Sequence, residues 1–178
     1  MTMIDQIKAG TRNIVQSLVD NEPINAIEAG ALYSIVIQGR YHVSLLSILH
    51  NHAQDPALKQ LIAEAQDDLA ESTVRRCENL LQAGEAKVPD TQFPTHPLED
   101  RLNIPTAAHL SDAEIAMTLV VNDAAGQTAL LLAIHQCYQL EVAMALRDEL
   151  NKGLDWSYRL LQLMLHRGWL PEIAKVTH

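Results

Sequence analysis

Four side chains that could do chemistry lie on four predicted helices, one on each. When these helices are aligned by depth from the first interhelical turn, His42, Asp68 and Asp123 fall at similar depth. Glu149 falls about one helical turn lower. One imidazole and three carboxylates form a ligand set that iron, manganese or zinc accepts. The pattern therefore predicts a metal site in the middle of a helical bundle.

A second interpretation of the same residues stays open. Asp68 would then lie on the solvent side of its helix, and His42 would be a hydrogen-bonded core residue. Its candidate partners are Asn122, Gln127 and Asn151. Buried polar side chains need such partners because an unpaired one costs free energy. On this interpretation the middle of the bundle is polar without holding a metal.

Enzymatic chemistry has no support in the sequence. A ferritin-type di-iron centre uses Glu-x-x-His on two of its four helices, since this spacing puts a carboxylate and an imidazole on one face. The second helix offers Glu64-x-x-Asp67 and Asp68-x-x-Glu71 instead. There is no nucleophile elbow, P-loop or dinucleotide fingerprint. We therefore predict a non-catalytic structural or binding protein, with a metal-binding bundle in redox chemistry or metal handling as the alternative.

Composition and charge narrow the class of protein. The chain has 178 residues, of which 48% are hydrophobic and 4% aromatic, and this fits a single domain, residues 1–178, with an aliphatic core. Its formal net charge of -9 argues against nucleic-acid binding. The sequence has no signal-like apolar start and no long apolar run, which predicts a cytoplasmic protein without a membrane partner. Cys77 and Cys137 lack metal or disulfide spacing and are predicted to be buried free thiols.

Apolar residues at helical spacing predict an all-α protein with four long helices. The first begins around Glu22 and Pro23, because proline is tolerated in a first turn. The second begins at Pro56, which follows the N-cap residue Asp55, and it is stopped by Gly84. Residues 86–110 then hold four of the seven prolines, which forbids a regular helix there.

The third helix opens with a capping box formed by Ser111 and Glu114. No proline follows until residue 171, yet a single helix from 111 to 167 would reach about 85 Å. The chain must therefore turn back, and we place the turn at residues 137–139, with Gly153 as the rival position. Four helices with one long crossover between the second and the third form the ferritin-like arrangement.

The first 21 residues predict a short amphipathic helix ahead of the bundle, which occupies residues 22–171. Its apolar side chains recur at steps of three and four residues. They are Ile4, Ile7, Ile14 and Leu18. Such a row needs a surface to cover, and two-fold pairing is the commonest way to bury apolar faces, so we predict a homodimer. In the alternative, the segment folds back over its own bundle and the protein is monomeric.

The order of several local features resembles a ferritin-like bacterial family of unknown function that is related to spore coat protein F. The matching points are Glu28 with Ala31-Leu32-Tyr33, Asp55, Gly84 to Pro89, Asn103 and Pro105, Leu110-Ser111-Asp112, Gly126, and Gly168-Trp169. The resemblance covers most of the chain and implies the same bundle. Relatives often carry two such bundles in tandem, whereas this sequence has one. The resemblance also implies the spore surface as an alternative location.

Overall fold

The structure is a computed structural model that describes residues 23–99 and 104–170. Within these two ranges the chain is helical and contains no β-strand. The amphipathic helix predicted for residues 1–21 lies outside the described residues, as does Asn103. The prediction of an all-α fold is confirmed.

Four long helical segments form an antiparallel bundle. In chain order the elements are α1 (Ala26–His52), α2 (Pro56–Glu64), a π-helical segment (Ala65–Glu71), α3 (Ser72–Ala83), a short 3-10 turn (Thr106–Ala108), α4 (Asp112–Gln136) and α5 (Leu140–Arg167). α2, the π-helical segment and α3 follow one another without a break and form the second segment of the bundle. The long connection lies between this segment and α4, as predicted.

The first helix begins later than the predicted start around Pro23. Asn25 is its N-cap, and the Asn25 side-chain oxygen accepts hydrogen bonds from the backbone N–H groups of Ile27 (2.9 Å) and Glu28 (3.0 Å). The Glu28 carboxylate accepts in return from the Asn25 backbone N–H at 3.4 Å, which completes a capping box, and it also accepts from the Asn25 side-chain amide at 2.5 Å. This cap fixes the helix start at Ala26, so Pro23 precedes the helix.

Glu28 also joins α1 to the turn between α4 and α5. Its Oε1 accepts hydrogen bonds from the backbone N–H groups of Tyr138 and Gln139, both at 2.7 Å. These N–H groups lie in the turn just before α5, whose N-cap is Gln139. The turn predicted at residues 137–139 is thus confirmed, and Gly153 lies buried inside α5 rather than at a break.

The opposite end of the bundle is held by carboxylates as well. Asp112, the first residue of α4, accepts hydrogen bonds from the backbone N–H groups of Gln54 (2.7 Å) and Asp55 (3.1 Å). Asp55 caps α2 and receives the Arg167 guanidinium from the end of α5 at 2.6 Å. The end of α1 therefore meets the start of α4 and the end of α5, so α1 runs antiparallel to α4 and parallel to α5.

Polar side chains of α1 hold the crossover against the bundle. Arg40 donates to the carbonyl oxygens of Pro89 and Thr91, both at 2.7 Å, and forms an ion pair with Glu78. Further along, the Asn51 side chain binds the carbonyl oxygen of Pro97 at 2.9 Å and the backbone N–H of Glu99 at 2.7 Å. The crossover therefore follows α1 along the length of the bundle.

The apolar core is divided into two halves. The half at the α1–α2 turn consists of Leu46, Leu49, Ala53, Leu58, Ile62, Ala65, Ile115, Ala116, Leu119, Trp156, Leu160 and Met164. The half at the α4–α5 turn consists of Leu32, Ile35, Val36, Val74, Cys77, Leu81, Leu130, Ala133, Val142 and Leu146. Both cysteines are free, as predicted; Cys77 is buried, whereas Cys137 is only half-buried. Burial raises the pKa of the Cys77 thiol to about 12, which keeps it protonated and unreactive.

We expect Glu28→Gln to destabilise the bundle by about 2 kcal/mol, since hydrogen bonds to a charged group contribute about 1.5–3 kcal/mol. The new side-chain NH2 group would also face the Asn25 N–H donors, whose hydrogen bonds the carboxylate now accepts. Urea unfolding followed by circular dichroism measures the change. Glu141→Gln, an exposed site at the start of α5, is the matched control and should leave the unfolding midpoint nearly unchanged. Equal effects of the two changes would contradict a special role of Glu28.

Candidate functional site

A cavity of about 120 Å³ lies between the two halves of the core, and all four helical segments line it. Its walls are mostly aliphatic, with Trp156 as the one aromatic side chain among the described lining residues. Polar side chains are gathered at this level of the bundle. They are Gln38, His42, Thr73, Asn122, Asp123, Gln127 and Glu149. The polar middle of the bundle that the sequence indicated is therefore present.

Asp123 of α4 is held by side chains on its own helix and on α5. Its Oδ2 accepts hydrogen bonds from the Gln127 side-chain amide at 2.9 Å and from the Ser157 hydroxyl. Burial raises the pKa of Asp123, and the two hydrogen bonds oppose that shift without cancelling it. The carboxyl group therefore accepts a proton more readily than an exposed aspartate does.

Glu149 of α5 is buried and compensated by neighbouring cations. Its Oε1 receives the Lys152 ammonium at 2.9 Å and lies 3.7 Å from the Arg76 guanidinium. Its Oε2 accepts a hydrogen bond from the Thr73 hydroxyl of α3 at 3.2 Å. A buried carboxylate needs such partners, because an uncompensated one would be costly. Glu149 thus ties α5 to α3 at the edge of the cavity.

His42 of α1 lines the cavity beside Gly126 of α4. Among the residues that the structure describes, no hydrogen-bond partner of the His42 imidazole is present; its ring contact is with Tyr41, at 5.9 Å between centroids. Burial lowers the pKa of His42, so the neutral imidazole is favoured. The core histidine expected to pair with Asn122, Gln127 or Asn151 makes none of these bonds.

The structure brings three of the four predicted metal ligands to one cavity. His42, Asp123 and Glu149 line it, whereas Asp68 is exposed on the π-helical segment and does not. Across residues 23–99 and 104–170, no three His, Cys, Asp or Glu side chains lie close enough to hold a metal ion. Asp123 and Glu149 are already bound by protein donors. The metal site therefore stays a prediction from the sequence.

Glycines allow close helix contacts around the cavity. A Cβ atom added to Gly39 of α1 would lie 2.5 Å from the Val74 Cγ2 of α3, which is too close for any real contact. A Cβ atom on Gly126 would lie 3.7 Å from the His42 ring, an ordinary distance. Gly126 faces the bundle interior, but it leaves space there and makes no tight contact.

A second notable surface is the outer side of α4 and α5, which we call the α4–α5 face. The exposed apolar side chains of this face recur at helical spacing. They are Met117, Val120, Val121, Leu131, Leu132, Leu140, Met144, Leu154, Tyr158, Leu161 and Leu165. In the described part of the chain, α4 is also the one helix long and apolar enough to cross a membrane by length and composition, and 22% of its most apolar window is buried.

A family profile described as "Protein of unknown function (DUF3231)" matches residues 12–174, and the chain belongs to this family. The uncharacterized protein YvdQ of Bacillus subtilis is 25% identical over 150 residues. The match covers 84% of this chain and 87% of YvdQ. The predicted membership of a family of unknown function is thereby confirmed.

Two solved structures share the fold. One comes from Bacillus halodurans, and its assignment as a spore coat protein is provisional. Its TM-score is 0.80 at 24% identity, and the match covers 88% of this chain and 98% of that one. The other is a conserved hypothetical protein of Mycobacterium tuberculosis, with a TM-score of 0.60 at 15% identity. That match covers 78% of this chain and 98% of the other. Both likenesses concern the fold alone.

Gly39→Ala and Gly126→Ala should have opposite effects on stability. Both replace a helical glycine by alanine, which favours the helix by about 1 kcal/mol. At Gly39 the methyl group collides with the stiff side chain of Val74, and we expect a net loss of about 1–3 kcal/mol. At Gly126 the methyl group fits, so we expect a gain in stability. Chemical denaturation measures both, and Val74→Ala in the Gly39→Ala background should restore most of the loss.

The buried imidazole of His42 should make stability depend on pH. Because the folded-state pKa lies below the ordinary value of 6.5, the stabilising effect of neutral His42 is complete above that value. It is lost as the pH falls from 6.5 through the lower folded-state pKa. Relative to His42→Gln, the wild-type protein should therefore be less stable at about pH 5 than at about pH 8. His135→Gln, at an exposed site, is the control, and parallel stability curves for wild type and His42→Gln would refute the assignment.

Proposed function

We propose that this member of the DUF3231 family is a non-catalytic structural protein that assembles through its α4–α5 face, in the setting of the spore coat. The observation that carries the proposal is the concentration of exposed apolar side chains on one side of the bundle. Of the seventeen large hydrophobic side chains that are exposed in the described residues, eleven lie on α4 and α5, and Tyr138 lies in the turn between them. Apolar patches larger than a few hundred Å² usually mark interaction sites.

The dimensions of the face suit a stable protein interface. α4 and α5 have 25 and 28 residues and pack side by side as antiparallel neighbours. Two such helices give a face about 37 Å long and about 20 Å wide, or roughly 750 Å². A standard stable interface buries about 800 Å² on each partner. The face is therefore large enough to hold a dimer.

A second copy of this chain is the partner that the face fits best. In a two-fold dimer the same patch is used on both subunits, so one interface covers both apolar faces at once. The N-terminal row from Ile4 to Leu18 would span about 21 Å as a helix, little more than half of the face. A lipid bilayer would have to accommodate Arg147 and Asp155, which are exposed in the middle of α5, and charged groups are costly there.

The link to the spore coat comes from a structural relative. It draws on the Bacillus halodurans structure, which shares the fold and carries a provisional spore-coat assignment. A coat is built from proteins that associate, and the α4–α5 face gives this chain a means of association. The proposal therefore assigns this chain a structural role.

Light scattering on the full-length protein at micromolar concentration tests the assembly. We expect a mass near twice the 19.7 kDa of one chain. Leu154→Arg, which puts a charge in the middle of the face, should weaken the dimer at least about tenfold, because an unpaired charge would be buried. The matched control is Ile48→Arg, at an exposed apolar site on α1 away from the face, and it should stay dimeric.

Three results would contradict this assembly. A wild-type protein of monomeric mass would exclude the dimer. Loss of the dimer with Ile7→Arg but not with Leu154→Arg would place the interface on the N-terminal segment. Co-flotation of the wild-type protein with phosphatidylcholine vesicles, lost in Leu154→Arg, would assign the face to a membrane.

A further inference from the structure

The central cavity has the size and the walls of a site for a small organic molecule. It measures about 120 Å³ and is bounded by leucine side chains and by the Trp156 ring. A cavity of about 150 Å³ with comparable aliphatic walls is known to hold benzene. Residues 38, 42 and 122 line it and are only half-buried, so the cavity is not sealed from solvent.

Polar groups at the cavity retain hydrogen-bonding capacity. The Gln38 amide and the His42 imidazole make no hydrogen bond to any side chain or backbone group in residues 23–99 and 104–170. The two donors that Asp123 receives both bind its Oδ2, which leaves the second carboxyl oxygen free of them. A neutral imidazole offers one donor and one acceptor. A ligand with a hydroxyl or carbonyl group could satisfy these groups.

The lining of the cavity favours an uncharged ligand over an anion. Its walls are mostly aliphatic, and they include the Trp156 ring. The charge of Glu149 is balanced by Lys152 and Arg76, which bind it from outside the cavity lining. An anionic guest would find no Lys or Arg side chain among the described lining residues, and its desolvation would go uncompensated.

The geometry points to a binding site for a small neutral organic molecule with an apolar ring or short chain and one hydroxyl or carbonyl group. The apolar part would fill the space against Trp156 and the leucines, and the polar group would bond to His42 and Asp123. This inference is independent of the proposed assembly, since the cavity faces the bundle interior and the α4–α5 face points away from it.

Phenol is a suitable probe, with benzene as the matched compound that lacks the hydroxyl group. We expect titration calorimetry and the NMR signals of the His42 ring to report saturable binding of one phenol per chain. Benzene should bind at least about tenfold more weakly, because it leaves the polar groups unpaired. This comparison uses the wild-type protein and so depends on no variant.

Gly126→Leu should abolish phenol binding, because the leucine side chain would extend into the cavity. Ala125→Leu, at the neighbouring exposed position on the same helix, is the control and should bind phenol like wild type. If Gly126→Leu fails to fold, His42→Leu replaces it and should remove the preference for phenol over benzene. The proposal is overturned if phenol does not bind saturably, if it binds equally well to the cavity-filling variant, or if benzene binds as tightly as phenol.

Discussion

The buried carboxylate of Glu28 is the interaction on which the arrangement of the helices depends. It closes the cap of α1 and accepts the N–H groups of Tyr138 and Gln139 in the turn before α5, so one carboxylate joins the start of α1 to the α4–α5 turn. This contact fixes a common level from which the helices run. His42 follows Glu28 by fourteen residues, Gly153 follows Gln139 by fourteen, and Gly126 precedes Tyr138 by twelve. At about 1.5 Å per residue, these positions share one layer, which is the layer of the cavity.

Most of the fold could be predicted because its signals are local. Asp55 with Pro56, Ser111 with Glu114, and Gly168 each bind or shape their own helix ends, and the structure has helix boundaries at all of them. The start of α1 was missed because Asn25 depends on Glu28, whose capping role is visible only in the Asn-x-x-Glu spacing. The hydrogen bonds from Tyr138 and Gln139 to Glu28 join residues more than a hundred positions apart, and no local sequence pattern predicts them.

The candidate site was only partly predictable, because depth along a bundle does not determine which way a side chain points. The π-helical segment Ala65–Glu71 consists of ordinary helix-forming residues, so the sequence does not predict it. Up to the first residue of this segment, the buried row runs through Leu58, Ile62 and Ala65 at regular spacing. After it, the row resumes at Val74, about one residue later than a regular α-helix would give. Asp68 lies within this change of phase, on the exposed side, and the cavity is reached by Thr73 instead.

α4 has an unusual distribution of polarity, and this links the cavity to the outer face. In its central part the polar side chains Asn122, Asp123 and Gln127 point to the bundle interior, while Val120 and Val121 are exposed. An ordinary surface helix has the reverse pattern. At this level α4 gives little apolar surface to the core, so its position here depends on hydrogen bonds to α5, while its two ends dock through buried side chains such as Ile115 and Leu130. Covering the outer face would therefore also stabilise the polar layer within, because both sides of α4 would then be packed.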